Sequence, residues 1–418
     1  MNLTDQFKPF TEEDFAAAFQ KEVKNGDFRE LLTWHTHIGI DVLPFYHQSD
    51  APVSVMNFQG NDWNINQKIT ISDFKKANTE ALQVLNNGAT SLTFSGKITS
   101  FSELEILLDG IEISCIELNF KESGKEIVSF LQRYCSEKKI SPSLLKGSFY
   151  LPSDQISSEM FVFPNRQLSF ADGIKLHNAG ADMVQQLGYL IAEGKEILQS
   201  LIDKNIHPET AVQTIRFDIS VGQDFFFEIC KINALRILWQ NIVAGYCDKT
   251  MPLYIHAETS EIWMADEDIH NNLIRASFQS ISAVLGGADS LYVRPYTKND
   301  DSARISTNVQ LVIKEESFLD KVANVGGGSF YIREITHQLV EKSWKLFQET
   351  EKTGGFSAAL KSELIQKNIF ASASLLKKEI SEGKIKVIGV NKQRTDKSEK
   401  TFSSFVYSSE VRKINLFN

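Results

Sequence analysis

Eight short runs of apolar and β-branched residues, most of them followed by an amphipathic helical pattern, constrain this chain more than any other feature. They fall at 91–94, 115–120, 147–151, 167–170, 215–220, 253–256, 290–293 and 384–390. Strands that alternate with helices run parallel and are covered on the helix side, because each crossover returns the chain to the same edge. Eight such units predict an α/β chain folded as a closed (β/α)8 TIM barrel. The unit at 215–239 is the clearest. Its strand is followed by Asp224, an acid suited to a helix start, and then by Phe227, Ile229, Ile232, Leu235 and Leu238 on one helical face. On this pattern the barrel occupies 81–392, after an N-terminal extension at 1–80 and before a charged C-terminal tail at 393–418. Between the seventh and eighth strands lie helical stretches at 302–314, 336–350 and 357–382.

The extension opens with a helix signal at Thr11-Glu12-Glu13, with Phe15, Phe19 and Val23 at helical spacing, ending near Gly26. Beyond it Trp34-His35-Thr36-His37-Ile38-Gly39-Ile40 and Pro44-Phe45-Tyr46 form an extended aromatic stretch. It reads either as an arm that docks on a partner, with Trp34 and Tyr46 as anchors, or as an extension packed on its own domain. A net charge of −9 and a pI near 5.5 argue against a nucleic-acid surface. Met1 to Asp14 has no secretory pattern, and no apolar run reaches membrane-spanning length. Cys115, Cys135, Cys230 and Cys247 are scattered, without zinc or redox spacing, as expected of a cytoplasmic protein.

No phosphate-binding P-loop, dinucleotide fingerprint or nucleophile elbow is present. Gly326-Gly327-Gly328 suits a tight turn. His256 ends a strand and Glu258, Thr259 and Ser260 follow it, which places them at the mouth where barrel enzymes carry chemistry.

Four stretches add a resemblance. Arg216-Phe217-Asp218-Ile219-Ser220, Leu285-Gly286-Gly287-Ala288-Asp289-Ser290-Leu291, Ser302-Ala303-Arg304-Ile305 and Gly327-Gly328-Ser329-Phe330-Tyr331 resemble, in order and spacing, the acyl-CoA barrel of the cobalamin-dependent methylmalonyl-CoA mutases, and most of all their small subunit. The likeness runs from about Pro44 to Lys392. It implies a pathway that interconverts methylmalonyl-CoA and succinyl-CoA by an adenosylcobalamin radical. It also shows where this chain departs from the catalytic pattern. The family's Gly-Tyr-His-Met-Gln-Glu-Ala-Gly-Ala-Asp stretch, whose His bonds the thioester carbonyl, matches Gly173-Ile174-Lys175-Leu176-His177-Asn178-Ala179-Gly180-Ala181-Asp182. Ile174 and Lys175 thus replace the Tyr and His. Tyr150 falls where the family has a substrate-contacting Gln. The stretch that holds a radical-gating Tyr becomes Met56-Asn57-Phe58-Gln59-Gly60-Asn61-Asp62-Trp63, which has none. The cobalt-ligating Asp-x-His-x-x-Gly has no counterpart: Asp268-Ile269-His270-Asn271-Asn272-Leu273 lacks the glycine. Val387 to Lys392 resembles the last barrel strand, and the 26 residues after it are too few for a cobalamin domain.

The resemblance therefore implies a non-catalytic small subunit that binds neither cofactor nor metal itself and pairs with a large subunit carrying adenosylcobalamin. An acyl-CoA is a second candidate ligand. One rival is a stand-alone barrel enzyme acting on a CoA thioester, with Lys175, His256 and Glu258 as acid/base groups. Another is a mutase barrel that uses a separate cobalamin-binding chain.

Overall fold

Apolar runs followed by amphipathic helices do become parallel strands, but a polar run begins the barrel. The computed structural model describes residues 10–23, 28–47, 60–265, 269–297 and 300–393. Two short strands, β1 (Trp34–His35) and β2 (Asp41–Val42), form a hairpin outside the barrel. The main sheet then runs β3 (Asn64–Thr70), β4 (Ser91–Ser95), β5 (Glu117–Lys121), β6 (Lys146–Ser148), β7 (Arg166–Gln167), β8 (Ser169–Asp172), β9 (Ile215–Val221), β10 (Tyr254–Thr259) and β11 (Ser290–Tyr292). Their spatial order is β7-β6-β5-β4-β3-β11-β10-β9-β8, parallel throughout. β7 and β8 are one strand interrupted at Leu168, so the nine segments make eight staves, and at Leu168 the ladder gives way to single bonds with Thr214 and Leu151.

Two expectations are corrected here. The first stave is β3, which lies inside the stretch expected to be an extension. It was hidden because Asn64-Ile65-Asn66-Gln67-Lys68-Ile69-Thr70 carries only two apolar side chains, Ile65 and Ile69, both on the face turned to the helices. The segment 384–390 is not a stave. It turns on Asn391, whose side chain accepts from the Val387 N–H at 2.7 Å and donates to the carbonyls of Ile380 (2.8 Å) and Ile385 (2.7 Å). Val387 and Val390 instead form a small cluster with Ile262, Trp263, Ala265 and Ile380.

Helices α3 (Phe74–Asn86), α4 (Phe101–Leu107), α5 (Glu126–Lys138), α6 (Gly173–Asn178), α7 (Met183–Asp203), α8 (Pro208–Gln213), α9 (Phe225–Val243), α10 (His270–Leu285) and α11 (Asp300–Leu311) follow the staves in turn. α3, α4, α6 and α7 start where short polar side chains satisfy the free N–H groups. Ser100 and Glu103, for example, cap α4 reciprocally. α12 (Phe330–Lys352) lies across α7 and α9, then α13 (Phe356–Lys361) and α14 (Leu364–Ser381) close the outer layer. The apolar core lies between staves and helices. Phe94, Phe120, Phe149 and Phe163 form a ring-to-ring belt with centroids 6.0, 6.3 and 5.7 Å apart, and Phe217 meets Trp239 at 4.8 Å.

The alternate side chains point to the barrel axis, and they are polar: Asn66, Ser91, Thr93, Glu117, Asn119, Ser148, Arg216, Asp218, Ser220, His256 and Glu258 are all buried. A strand buried on both faces, such as β9 at all seven positions, thus alternates apolar outside with polar inside.

Before the barrel, α1 (Glu12–Glu22) is capped by Thr11 and Asp14, and α2 (Phe28–Leu32) leads to the β1–β2 hairpin. This arm rests on the barrel's own helices. Ile40 is buried in the main core, Trp34 meets Phe227 edge-on at 5.9 Å, and Tyr46 meets Tyr331 at 5.6 Å. Trp34 nevertheless stays 54% exposed, so the stretch has a packed side and an open one.

Gly147 is where β6 approaches β5 most closely. Its φ is +118°, and a Cβ there would lie 1.8 Å from the Leu118 carbonyl oxygen, a backbone atom that has no room to yield. Gly147→Ala is expected to cost about 3 kcal/mol or more, measured by urea unfolding of the full chain. A loss under about 1 kcal/mol would mean that the stave pair shifts freely.

Candidate functional site

The axis of the barrel is spanned by its own side chains at three levels. At the level of Glu117, Tyr254 on β10 donates its hydroxyl to that carboxylate on the opposite stave β5. Ser91 donates to the other Glu117 oxygen at 2.6 Å, and Asn66 donates to Ser91 at 2.7 Å. At the middle, Arg216 reaches from β9 to Asn119 (3.0 Å) and Ser148 (2.8 Å), and its Nε donates to Asp218 at 2.6 Å. The guanidinium lies between Tyr150 and Tyr254, 4.6 and 5.5 Å from their ring centres. Burial opposes its charge, yet Asp218 together with Tyr150, Tyr254 and Glu117 outweighs burial and raises its pKa.

At the mouth Glu258 is the hub. Lys68 contacts one of its oxygens, Arg294 holds the other at 3.0 Å, and His256 lies 3.6 Å away. Burial alone would raise the Glu258 pKa, but Lys68 and Arg294 overcome it and hold the carboxyl well below the usual range. Burial pushes the His256 imidazole below its ordinary value. Burial also lowers the Lys68 pKa, against the pull of Glu258. Lys121, above Tyr150 and Phe170 at 5.6 and 5.9 Å, completes the rim. Burial works against its charge, and Asp172, Asp218 and Glu258 more than offset it.

The sequence-predicted residues divide. His256 and Glu258 come together as expected. Lys175 does not join them: it is exposed on α6, and its ion pair is with Asp172 at 3.5 Å. The acid/base trio of the rival enzyme is therefore not assembled, and its carboxylate is locked between two cations rather than free to take a proton. Ile174 is buried in α6. Tyr150 has φ +50°, a conformation uncommon for a bulky residue, and meets Phe170 with tilted rings at 4.7 Å. Burial raises its hydroxyl pKa well above normal, so it is a neutral wall rather than a titrating group. His177 is buried, 2.6 Å from Ser260 and 3.1 Å from Gln186, and burial with Lys231 nearby keeps it neutral. Residues 56–59 and Asp268 lie outside the described residues. Trp63 is buried with its Nε1 on Gln310 at 3.2 Å.

The sequence reading missed Lys68, Lys121 and Arg294 as members of the mouth. Lys121 and Arg294 could have been found by counting in steps of two from Asn119 and Tyr292. Lys68 could not, once its stave had been assigned to the extension.

The methylmalonyl-CoA mutase family model matches residues 153–415, more than half of the chain. The chain belongs to the methylmalonyl-CoA mutase family. It is 32% identical over 416 residues to the methylmalonyl-CoA mutase small subunit of Porphyromonas gingivalis, a match that covers 88% of this chain and 67% of that protein. It is 26% identical over 454 residues to the methylmalonyl-CoA mutase of Cereibacter sphaeroides, covering 91% and 64%, and 25% identical over 473 residues to the mitochondrial enzyme of Bos taurus, covering 96% and 63%. The chain thus spans about two thirds of the length of these relatives.

The family uses adenosylcobalamin, and the residues described here do not fit that cofactor's cobalt-ligand pattern. His270 opens α10 with its ring 6.3 Å from Tyr296, and the position where the ligand motif has glycine is Leu273, inside the same helix. Among the described residues no cluster of His, Cys, Asp or Glu has the makings of a metal site, and no helix is long and apolar enough to cross a membrane.

Because its folded pKa is depressed, Glu258 contributes stability that is complete above its unfolded value near 4.5 and is lost as pH falls through the lower folded value. Glu258→Gln is expected to lower stability at pH 7 by about 3–5 kcal/mol, because Lys68 and Arg294 lose their shared counter-charge. The variant should also lose part of the acid limb of the stability profile. Parallel limbs for the two proteins would refute the locked-carboxylate assignment.

Proposed function

We propose that this chain is the small, supporting subunit of a heterodimeric methylmalonyl-CoA mutase, with adenosylcobalamin and the radical chemistry on a large-subunit partner in the cytoplasm. The observation that carries the reading is the spanned lumen. A mutase threads its acyl-CoA along the barrel axis, and here Tyr254–Glu117 and the Arg216 cluster lie across that path. The likeness to a small subunit supports the same reading. So does the pair Ile174 and Lys175 in place of the residues that would grip the thioester, since positioned catalysis fails when the reacting groups are of the wrong kind. In this role the barrel is a scaffold whose outer surface and arm meet the catalytic chain.

The decisive experiment is co-expression with a candidate large chain that carries the Asp-x-His-x-x-Gly motif. A stable one-to-one complex with cobalamin-dependent succinyl-CoA formation is expected, whereas the isolated chain should retain no corrin absorbance after gel filtration and show no turnover. Stoichiometric corrin on the isolated chain would overturn the assignment.

The open side of the arm gives a second test. Trp34 and Tyr46 each rest one edge on the barrel's own helices and keep surface free for a partner. Trp34→Ala with Tyr46→Ala is expected to weaken association by about 2 kcal/mol or more, the scale of an interface anchor, with little change in the melting temperature of the free chain. Unchanged affinity with a large fall in melting temperature would make the arm part of this chain's own core.

A further inference from the structure

A hollow of about 450 Å³ opens beside the barrel mouth, off the axis, between the arm hairpin, the loops that lead into α7 and α9, the loop after β10 and helix α14. It takes no part in the spanned lumen. Three aromatic side chains wall it, Trp34 from the arm, Phe227 from α9 and Trp263 from the loop after β10. Trp34 and Phe227 already meet edge-on at 5.9 Å, so two of the walls form a corner. The polar part of the lining is acidic. Asp182 caps α7, with its carboxylate taking the Gln185 N–H at 2.9 Å and the Ser372 hydroxyl at 3.0 Å. Glu228 is neutralised by Lys231 at 2.5 Å.

Asp224 is different. It stands at the start of α9 but makes no capping bond, and among the described residues its carboxylate has no hydrogen-bond partner. Burial raises its pKa, and the charges of His37, which also lines the hollow, and of Lys231 act the other way. The other basic groups near the hollow are engaged elsewhere: His35 with Asp41 at 2.7 Å, and Lys384 with Glu382 at 2.8 Å.

A carboxylate of this kind beside aromatic faces selects one class of ligand. An anion would meet Asp224, Asp182 and Glu379 on the lining. A neutral apolar molecule would fill the space but leave Asp224 uncompensated at a cost in free energy. A metal ion would need several converging oxygen ligands, and no such cluster is found among the described residues. An organic cation satisfies both features, since ring faces attract a weakly hydrated positive charge and the carboxylate balances it. We propose that this hollow binds a small organic ammonium ion, with Asp224 as counter-charge and Trp34, Phe227 and Trp263 packed on its apolar substituents.

The test uses the full chain and a pair of probes of equal shape, choline and its neutral isostere 3,3-dimethylbutan-1-ol, followed by tryptophan fluorescence and titration calorimetry. Choline is expected to give a saturable change, and the isostere to bind about tenfold or more weakly because it lacks the charge. Asp224→Asn should weaken choline by a similar factor, about tenfold, while leaving isostere binding in place. Equal affinity for the two probes, or no saturable response to choline, would overturn the proposal. If Asp224→Asn fails to fold, the comparison of the two probes on the native chain decides alone.

Discussion

The barrel closes around a buried guanidinium. Arg216 is bonded to Asp218 on its own stave and to Asn119 and Ser148 on the far side of the lumen, with an aromatic ring on each flank. A charge taken out of water is costly unless it is paired and its hydrogens are placed, and this pairing meets most of that cost with atoms from staves on both halves of the sheet. The polar levels below and above follow the same logic. Tyr254 with Glu117 ties opposite staves, and Glu258 with Lys68 and Arg294 ties β10 to the next two staves, β11 and β3. The lumen therefore acts as a set of cross-braces. Apolar packing between staves and helices supplies the bulk of the burial, while the braces fix which staves face each other.

In the proposed supporting role, that arrangement lets a family barrel keep its outline while the chemistry sits on a partner. A barrel built to admit a ligand must leave its axis empty or lined with small groups. Here Arg216, Tyr254 and Tyr150 occupy the space, and the carboxylate at the mouth is held between two cations. These groups are polar, so the interior of this barrel is a hydrogen-bonded network rather than an apolar core. His177 illustrates the same point: close in sequence to the position that would hold the thioester, it is sealed in a network with Ser260 and Gln186.

Much of this was legible in the sequence. Seven of the eight staves announced themselves through apolar, β-branched runs, and the motif stretches pointed to the family. The stave at Asn64–Thr70 did not, because its inward residues serve the polar lumen and only Ile65 and Ile69 carry the apolar signal. Val387 and Val390 misled in the opposite direction, since a short apolar run reads the same whether it joins a sheet or covers a cluster under a turn. The pairing of Lys175 with Asp172 instead of Glu258 was beyond sequence, because it depends on which side of α6 looks toward the axis.

The interruption at Leu168 gives the barrel a seam. On one side β7 pairs with β6 through two residues, and on the other β8 pairs with β9 through four. Between them a single carbonyl, that of Thr214, receives both the Leu168 and Ser169 amides at 2.9 and 3.1 Å. On the other flank the Leu168 carbonyl accepts from the Leu151 N–H at 2.8 Å, so the break in the ladder is bridged from both sides. The stave that carries Leu168 is thus a two-part strand that hands its pairing from one neighbour to the other. The short β6–β7 ladder is where that stave has least to lose on opening, and its amides should exchange with solvent sooner than those between β9 and β10.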